Sequence, residues 1–332
     1  MRRRLSRAGM RGAAKVFALP LLLLIGLMGY AGRQASPPAG QDRDSGSFRI
    51  SVDVALVVLP ATVSDRQGGF VSNLGEGDFE VYEDGVPQRI RLFRNEDVPV
   101  TVGLVVDHST TMQRKLAEVT AAARTFVRRS NREDEMFVVN FNENVSLGLP
   151  GAIQFTDRAN ELEKAIAAAP ADGETALYDA IAKALEVLQA GSRDRKALIV
   201  VSDGGDNASA HSLAQVMKLA GQSNAVIYTI GVFDEEDPDR NPGVLKRLAQ
   251  ATGGQAFLPG QLSEVVDVCE RIARDIRHQY TIGYVPIDST HDGAHRAIRV
   301  VARASGRGRL SVRTRTGYIA GGEPRLDNKG AK

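Results

Sequence analysis

The sequence predicts an α/β fold: a doubly wound, mainly parallel sheet flanked by small β segments. Three observations carry this. Residues 100–106, 136–141, 197–201 and 225–232 are nearly continuous apolar runs, as expected of strands buried on both faces. The stretches between them show helical periodicity. The two patterns alternate, which requires crossover helices on both faces of a parallel sheet.

Taken in order, the helical signals are as follows. Leu116, Val119, Ala123, Phe126 and Val127 follow the first buried run. Residues 145–149 fit a short strand and 162–168 a helix. Leu177, Ile181, Ala184 and Leu188 share one helical face, and Ser212 with Gln215 forms a capping-box pattern that opens a helix running to about residue 220. Residues 244–251 are helical in pattern, and Val265, Cys269, Ile272 and Ile276 form a last apolar face. The α/β domain therefore spans 97–277.

On its N-terminal side, residues 48–59 read as a strand. Phe79 to Glu83 alternates, Asp84-Gly85 follows, and Arg89 to Phe93 alternates again. A strand, an Asp-Gly step and a second strand predict a hairpin. This makes 48–96 a small β domain. Beyond the α/β domain, 279–285, 297–302 and 310–315 read as strands of a C-terminal β segment, 278–320, and 321–332 as a disordered tail. Packing of the two β segments against each other would make the α/β domain an insertion in a β sandwich.

Residues 1–35 have a basic start, an apolar run at 16–32 and small residues after it. That order is a secretory signal. An uncleaved anchor formed by 16–32 is the alternative, although about 17 residues is short for a spanning helix and Pro20 interrupts it. No cysteine follows the run, which excludes a lipoprotein. Residues 36–47 read as a flexible linker. The expectation is an exported protein, periplasmic or extracellular, with the membrane engaged only through such an anchor.

The net charge of +2 hides this division. Seven of the 42 basic residues lie in the first 35 positions, leaving 35 basic against 40 acidic residues, a net of −5. A mildly acidic body with 5% aromatics and no Trp argues against nucleic-acid binding. The single cysteine, Cys269, excludes an intrachain disulfide and a cysteine zinc site. On its apolar helical face it reads as a buried thiol.

The chemistry concentrates where the first buried run ends, at Asp107-His108-Ser109-Thr110-Thr111. A carboxylate and two hydroxyls at i, i+2 and i+4 converge when a chain turns off a strand. Such hard oxygen donors suit Mg²⁺, Mn²⁺ or Ca²⁺; a helix cap is the plain alternative. Asp203 follows the buried run 197–201, which puts it at the same edge of the sheet as Asp107. Thr175 opens an amphipathic helix, in a loop that also suits that edge.

With these residues in place, the sequence resembles the von Willebrand factor type A (VWA) family, whose metal-ion-dependent adhesion site combines Asp-x-Ser-x-Ser, a later Thr and a later Asp. The metal ligands implied by the resemblance are Asp107, Ser109, Thr111, Thr175 and Asp203, with Thr111 where the family usually has Ser. The segment from Phe79 to Gly85 and the stretch Tyr280-Thr281-Ile282-Gly283-Tyr284 also resemble exported bacterial proteins with VWA-related domains. The implied role is a non-enzymatic, metal-dependent adhesion or scaffold module of the cell envelope. Its divalent cation, Mg²⁺ (or Mn²⁺/Ca²⁺), coordinates an acidic group of a protein ligand presenting a carboxylate. The alternatives are a phosphohydrolase-like enzyme using Asp107 and a scaffold with an unoccupied metal site. No P-loop pattern is present, and position 109 is Ser, so there is no Asp-x-Asp pair.

Other polar groups read as ordinary surface. Asp234, Glu235, Glu236, Asp237 and Asp239 form an acidic loop, His291 and His295 flank an Asp-Gly turn, and His108 and His211 lie on the surface. Asp206 caps or turns its loop, and Arg193, Arg195 and Lys196 form a solvated turn.

Overall fold

The computed structural model describes residues 56–151, 154–233 and 240–321. The expected N-terminal signal and linker, the acidic loop 234–239 and most of the expected tail lie outside the described residues. Among the described residues no helix is long and apolar enough to cross a membrane.

The described chain opens with four strands: β1 (Val57–Ser64), β2 (Phe79–Glu83), β3 (Val86–Gln88) and β4 (Ile90–Arg94). The Asp84-Gly85 step is the tight turn its sequence predicts, with φ of 48° and 83° at the two positions. Gly85 takes this left-handed geometry at no steric cost. The strand that answers β2 is β3, however, not 89–93. β3 is a three-residue edge strand containing Pro87, and proline in a strand is confined to such edges because it lacks an N–H. β4 leaves for the other sheet. β1 extends past residue 59, where the 48–59 pattern ends; residues 48–55 lie outside the described residues. It runs through Pro60, whose carbonyl accepts from the Thr314 hydroxyl at 2.8 Å.

The α/β unit follows: β5 (Val100–Asp107), α1 (Leu116–Arg129), β6 (Glu135–Phe141), β7 (Val145–Leu147), α2 (Ala159–Ile166), α3 (Leu177–Gln189), β8 (Arg195–Ser202), α4 (Leu213–Gln222), β9 (Ala225–Gly231), α5 (Pro242–Thr252), β10 (Ala256–Phe257) and α6 (Val265–Arg277). The six strands are ordered β10-β9-β8-β5-β6-β7, all parallel except β7. This is the mainly parallel, doubly wound sheet the alternation predicts. α1 packs on α2 and α6, and α3 and α5 pack on α4, giving the two helical layers. The core gathers Val105, Phe137, Leu198 and Ile227 with the inner faces of the helices. Each such large apolar side chain, fully buried, contributes about 1.5–3 kcal/mol. Ser212 caps α4, accepting from the Gln215 N–H while Gln215 Oε1 accepts from the Ser212 N–H. Asn241 caps α5, which has Pro242 in its first turn.

The chain ends in β11 (Tyr280–Tyr284), β12 (His295–Ala302), β13 (Ser311–Arg313) and β14 (Gly317–Ile319). These strands interleave with the first four in two sheets, ordered β13-β1-β11-β4 and β14-β12-β2-β3. Val57 pairs with Tyr284 and Val81 with Val300, across more than two hundred residues of sequence. Leu59, Val81, Tyr280 and Ile282 lie in one shared core.

The β strands meet the α/β unit at the end where its parallel strands begin. Thr62 donates to Asp275 of α6 at 2.8 Å, and Arg313 of β13 pairs with the same carboxylate. Arg195, the first residue of β8, is buried; it donates to the Gln279 carbonyl and the Thr281 hydroxyl, both at 2.9 Å. The solvated turn expected at Arg195 and Lys196 is therefore corrected. Lys196 instead donates to the Leu188 and Gly191 carbonyls at the end of α3. Arg277 does the same for α1 through the Arg129 carbonyl, and Arg315 for α4 through the Ser223 carbonyl. A helix leaves its last carbonyls unpaired with a partial negative charge, so cations there are favourable. Local periodicity does not reveal these bonds, because each joins residues distant in sequence or a long side chain to a backbone oxygen.

Candidate metal centre

In the order of strands, chain connections run outward in both directions from the β5–β8 pair. This is the switch point, where the carboxyl ends of adjacent strands diverge and leave a crevice. Asp107 is the last residue of β5, and Asp203 follows the last residue of β8. The topology alone sets the two carboxylates side by side.

Local chemistry then shapes each loop. After Asp107 the chain enters a short 3₁₀ turn, Thr110–Met112, with Met112 fully buried as its apolar anchor. Ser109 and Thr111 face each other across the turn, with their hydroxyl oxygens 3.2 Å apart. Thr111 donates to Asp203 Oδ2 at 2.7 Å, so Ser109 supplies the proton between the two hydroxyls. The methyl group that distinguishes Thr111 from Ser does not keep its hydroxyl from this bond. Asp107 Oδ1 accepts from the Ser109 N–H at 2.8 Å, and Oδ2 accepts from the Ser202 hydroxyl at 2.6 Å. Asp203 Oδ1 accepts from the Gly205 N–H at 3.0 Å. Between them Gly204 has φ +82°, and a Cβ there would lie 2.4 Å from the Asn241 carbonyl oxygen; only glycine fits.

Asp107, Ser109, Thr111 and Asp203 are thus joined in one hydrogen-bonded set drawn from two loops. Thr175 is tied by its backbone to the loop that follows Asp203, not to the set itself. Its N–H donates to Asn207 Oδ1 at 2.8 Å, and its carbonyl accepts from the Asn207 and Ala208 N–H groups. In the same loop the Gly173 carbonyl accepts from both the N–H and the hydroxyl of Thr110. Thr175 is buried.

The electrostatics of the set are unfavourable for anions. Asp107 is fully buried, and burial pushes its carboxyl up to about 6; the nearby Asp203 carboxylate adds to the rise, and the bonds from Ser109 and Ser202 oppose it. Two carboxylates in a buried crevice invite a cation. The donors are oxygen only, carboxylate and hydroxyl, which fits a hard divalent ion. Among the described residues no group of three or more His, Cys, Asp or Glu could hold a metal, so any cation here depends on the hydroxyls.

Neighbouring groups take structural roles. His108, expected at the surface, is buried; its Nε2 lies 3.2 Å from Asn140 Oδ1, and burial lowers its pKa. Asp206 accepts from the Tyr178 N–H at the start of α3 and from Ser209, the cap expected of it. His211 is exposed and paired with Asp179. Cys269 is buried and its thiol is pushed up to about 12 by burial. Sequence reasoning passed over Ser202 and Asn207. Ser202 directly precedes Asp203, and Asn207 lies four residues after it, so adjacency to a candidate ligand was the available signal.

No curated protein matches the chain. The family model described as von Willebrand factor type A domain matches residues 102–205. Among solved structures, a von Willebrand factor type A protein from Catenulispora acidiphila is 14% identical, with 81% of this chain and 75% of that chain covered and a TM-score of 0.50. The vWF domain of a type V pili tip protein from Porphyromonas gingivalis is 15% identical, covering 54% of this chain and 95% of that one, with a TM-score of 0.46. The mussel byssus proximal thread matrix protein 1, in a form with a zinc-occupied MIDAS motif, is 18% identical, covering 55% and 48%, with a TM-score of 0.45. From the strand order, the switch-point loops and the matched segment together, this chain carries a von Willebrand factor type A domain.

Proposed function

We propose that the protein is an exported, metal-dependent binding module of the cell envelope. Ser109, Thr111 and Thr175 offer hydroxyl oxygens to a divalent cation, Mg²⁺ (or Mn²⁺/Ca²⁺). Asp107 and Asp203 supply the negative charge, acting largely through water as the resemblance to the VWA family implies. When bound, the cation supplies Lewis acidity toward an external oxygen. Three hydroxyls and two carboxylates leave a six-coordinate ion short of its full set. A carboxylate on a partner protein completes it.

The observation that carries this reading is the hydrogen-bonded convergence of Asp107, Ser109, Thr111 and Asp203 at the switch point. The same geometry disfavours an enzyme that uses Asp107 as a nucleophile. That side chain is fully buried and both its oxygens are engaged. Export follows from the basic start and apolar run of residues 1–35.

The test is affinity capture from envelope extract, comparing wild type with Asp107→Ala, each with and without a chelator. Partners retained by wild type in Mg²⁺ and lost both in chelator and in the variant are the expected result. Retention in all four conditions contradicts metal-dependent binding.

A further inference from the structure

We infer that Ser202 is a positioning residue of the metal centre, whose hydroxyl fixes the orientation of Asp107; this rests on the metal-binding reading above. Ser202 is the last residue of β8 and is fully buried. Its hydroxyl has one proton and two lone pairs. The Gly204 N–H, 3.0 Å away, can only donate to it, so the proton goes to Asp107 Oδ2 at 2.6 Å. The direction of both bonds is thereby fixed.

The consequence is a tie across the switch point. Asp107 is held at Oδ1 by its own loop, through the Ser109 N–H, and at Oδ2 from the neighbouring strand, through Ser202. The second cross-strand bond, Thr111 to Asp203, runs through a hydroxyl that is itself offered to the cation. The Ser202 hydroxyl is bonded to Asp107 and to the Gly204 N–H, and it is not itself one of the candidate ligands. It also anchors Gly204, the residue after Asp203, whose left-handed backbone is pressed against the Asn241 carbonyl. One buried hydroxyl thus sets both carboxylate loops. Removing it leaves Asp107 Oδ2 and the Gly204 N–H without these partners in the crevice, and buried polar groups move to regain partners when they lose them.

The experiment uses the full chain with Mn²⁺ as probe. Mn²⁺ affinity is measured by titration for wild type, Ser202→Ala and Ser202→Thr. Amide hydrogen exchange at Ser109 and Gly204 is followed in chelator, where no metal is present. Ser202→Ala should bind Mn²⁺ roughly tenfold or more weakly, the usual effect of losing a group that orients a ligand, while Ser202→Thr, which keeps the hydroxyl, restores binding. In chelator, exchange at Ser109 and Gly204 should rise roughly tenfold in the alanine variant and stay near wild type in the threonine variant. Should Ser202→Ala not fold, Ser202→Cys, with similar volume and a weak donor, replaces it under the same thresholds. Wild-type-like affinity and exchange in the hydroxyl-free variant overturn the inference. If wild type itself does not bind Mn²⁺, the metal-binding reading fails on its own, and exchange in chelator alone decides whether Ser202 holds Asp107.

Discussion

The two ends of the central sheet handle charge in opposite ways. Where the parallel strands begin, charges are consumed internally. Asp275 is met by Thr62 and Arg313, and Lys196, Arg277 and Arg315 close the carbonyl ends of three helices. Arg195 spends two of its nitrogens on β11 and the residue before it. Where the strands end, two carboxylates share a buried crevice with hydroxyls and backbone N–H groups, and burial drives one of them toward its neutral form. The first end is a joint; the second, on the proposed function, is a receptor. Acids of the same residue type, equally buried, would then serve stability in one place and readiness for a cation in the other.

This contrast predicts opposite signs for removing an acid. Asp275→Ala should cost about 3–5 kcal/mol, because it leaves Arg313 partly buried without its anion. Chemical denaturation in the presence and absence of Mg²⁺ measures this, and the increment from metal should survive. A loss under 1 kcal/mol would mean the joint is ornamental.

Asp107→Asn should do the reverse in metal-free protein. The folded carboxyl, at about 6, titrates above its ordinary value of 3.8, so the fold favours the protonated form. The penalty is absent below about pH 4, grows as pH rises toward 6 and is complete above it; the shift corresponds to roughly 3 kcal/mol as an upper bound. In chelator at pH 7 the variant should equal or exceed wild type in stability by no more than that amount, with the difference shrinking toward pH 4. A variant clearly less stable than wild type at pH 7 breaks the comparison.

The receptor end was more legible in sequence than the joint. Strand ends in a doubly wound sheet have a fixed polarity, so the run 100–106 followed by Asp107, and the run 197–201 followed by Asp203, placed the two acids at one edge before any coordinates. The i, i+2, i+4 spacing of Asp107, Ser109 and Thr111 was likewise local. Ser202 was hidden because a serine at a strand end has no periodic signature; only its partner across the sheet gives it a role. The joint was misread for the same reason. Arg193, Arg195 and Lys196 look like a charged turn until β11 and the end of α3 are folded against them. β3 was missed because three residues with a proline carry almost no alternation, and their pairing depends on the turn rather than on their own pattern. His108 is the opposite case: a polar residue beside a candidate site reads as exposed in the sequence, yet it is buried, with Nε2 3.2 Å from Asn140 Oδ1.

The most direct test of the receptor end is a titration of wild type and Asp107→Ala with Mg²⁺ or Mn²⁺, followed by thermal unfolding. Wild type should gain saturable stability, about 2.7 kcal/mol at a hundredfold excess over the dissociation constant, and the variant none. Equal curves for the two proteins, or no response of wild type at millimolar metal, would contradict a cation site built on Asp107.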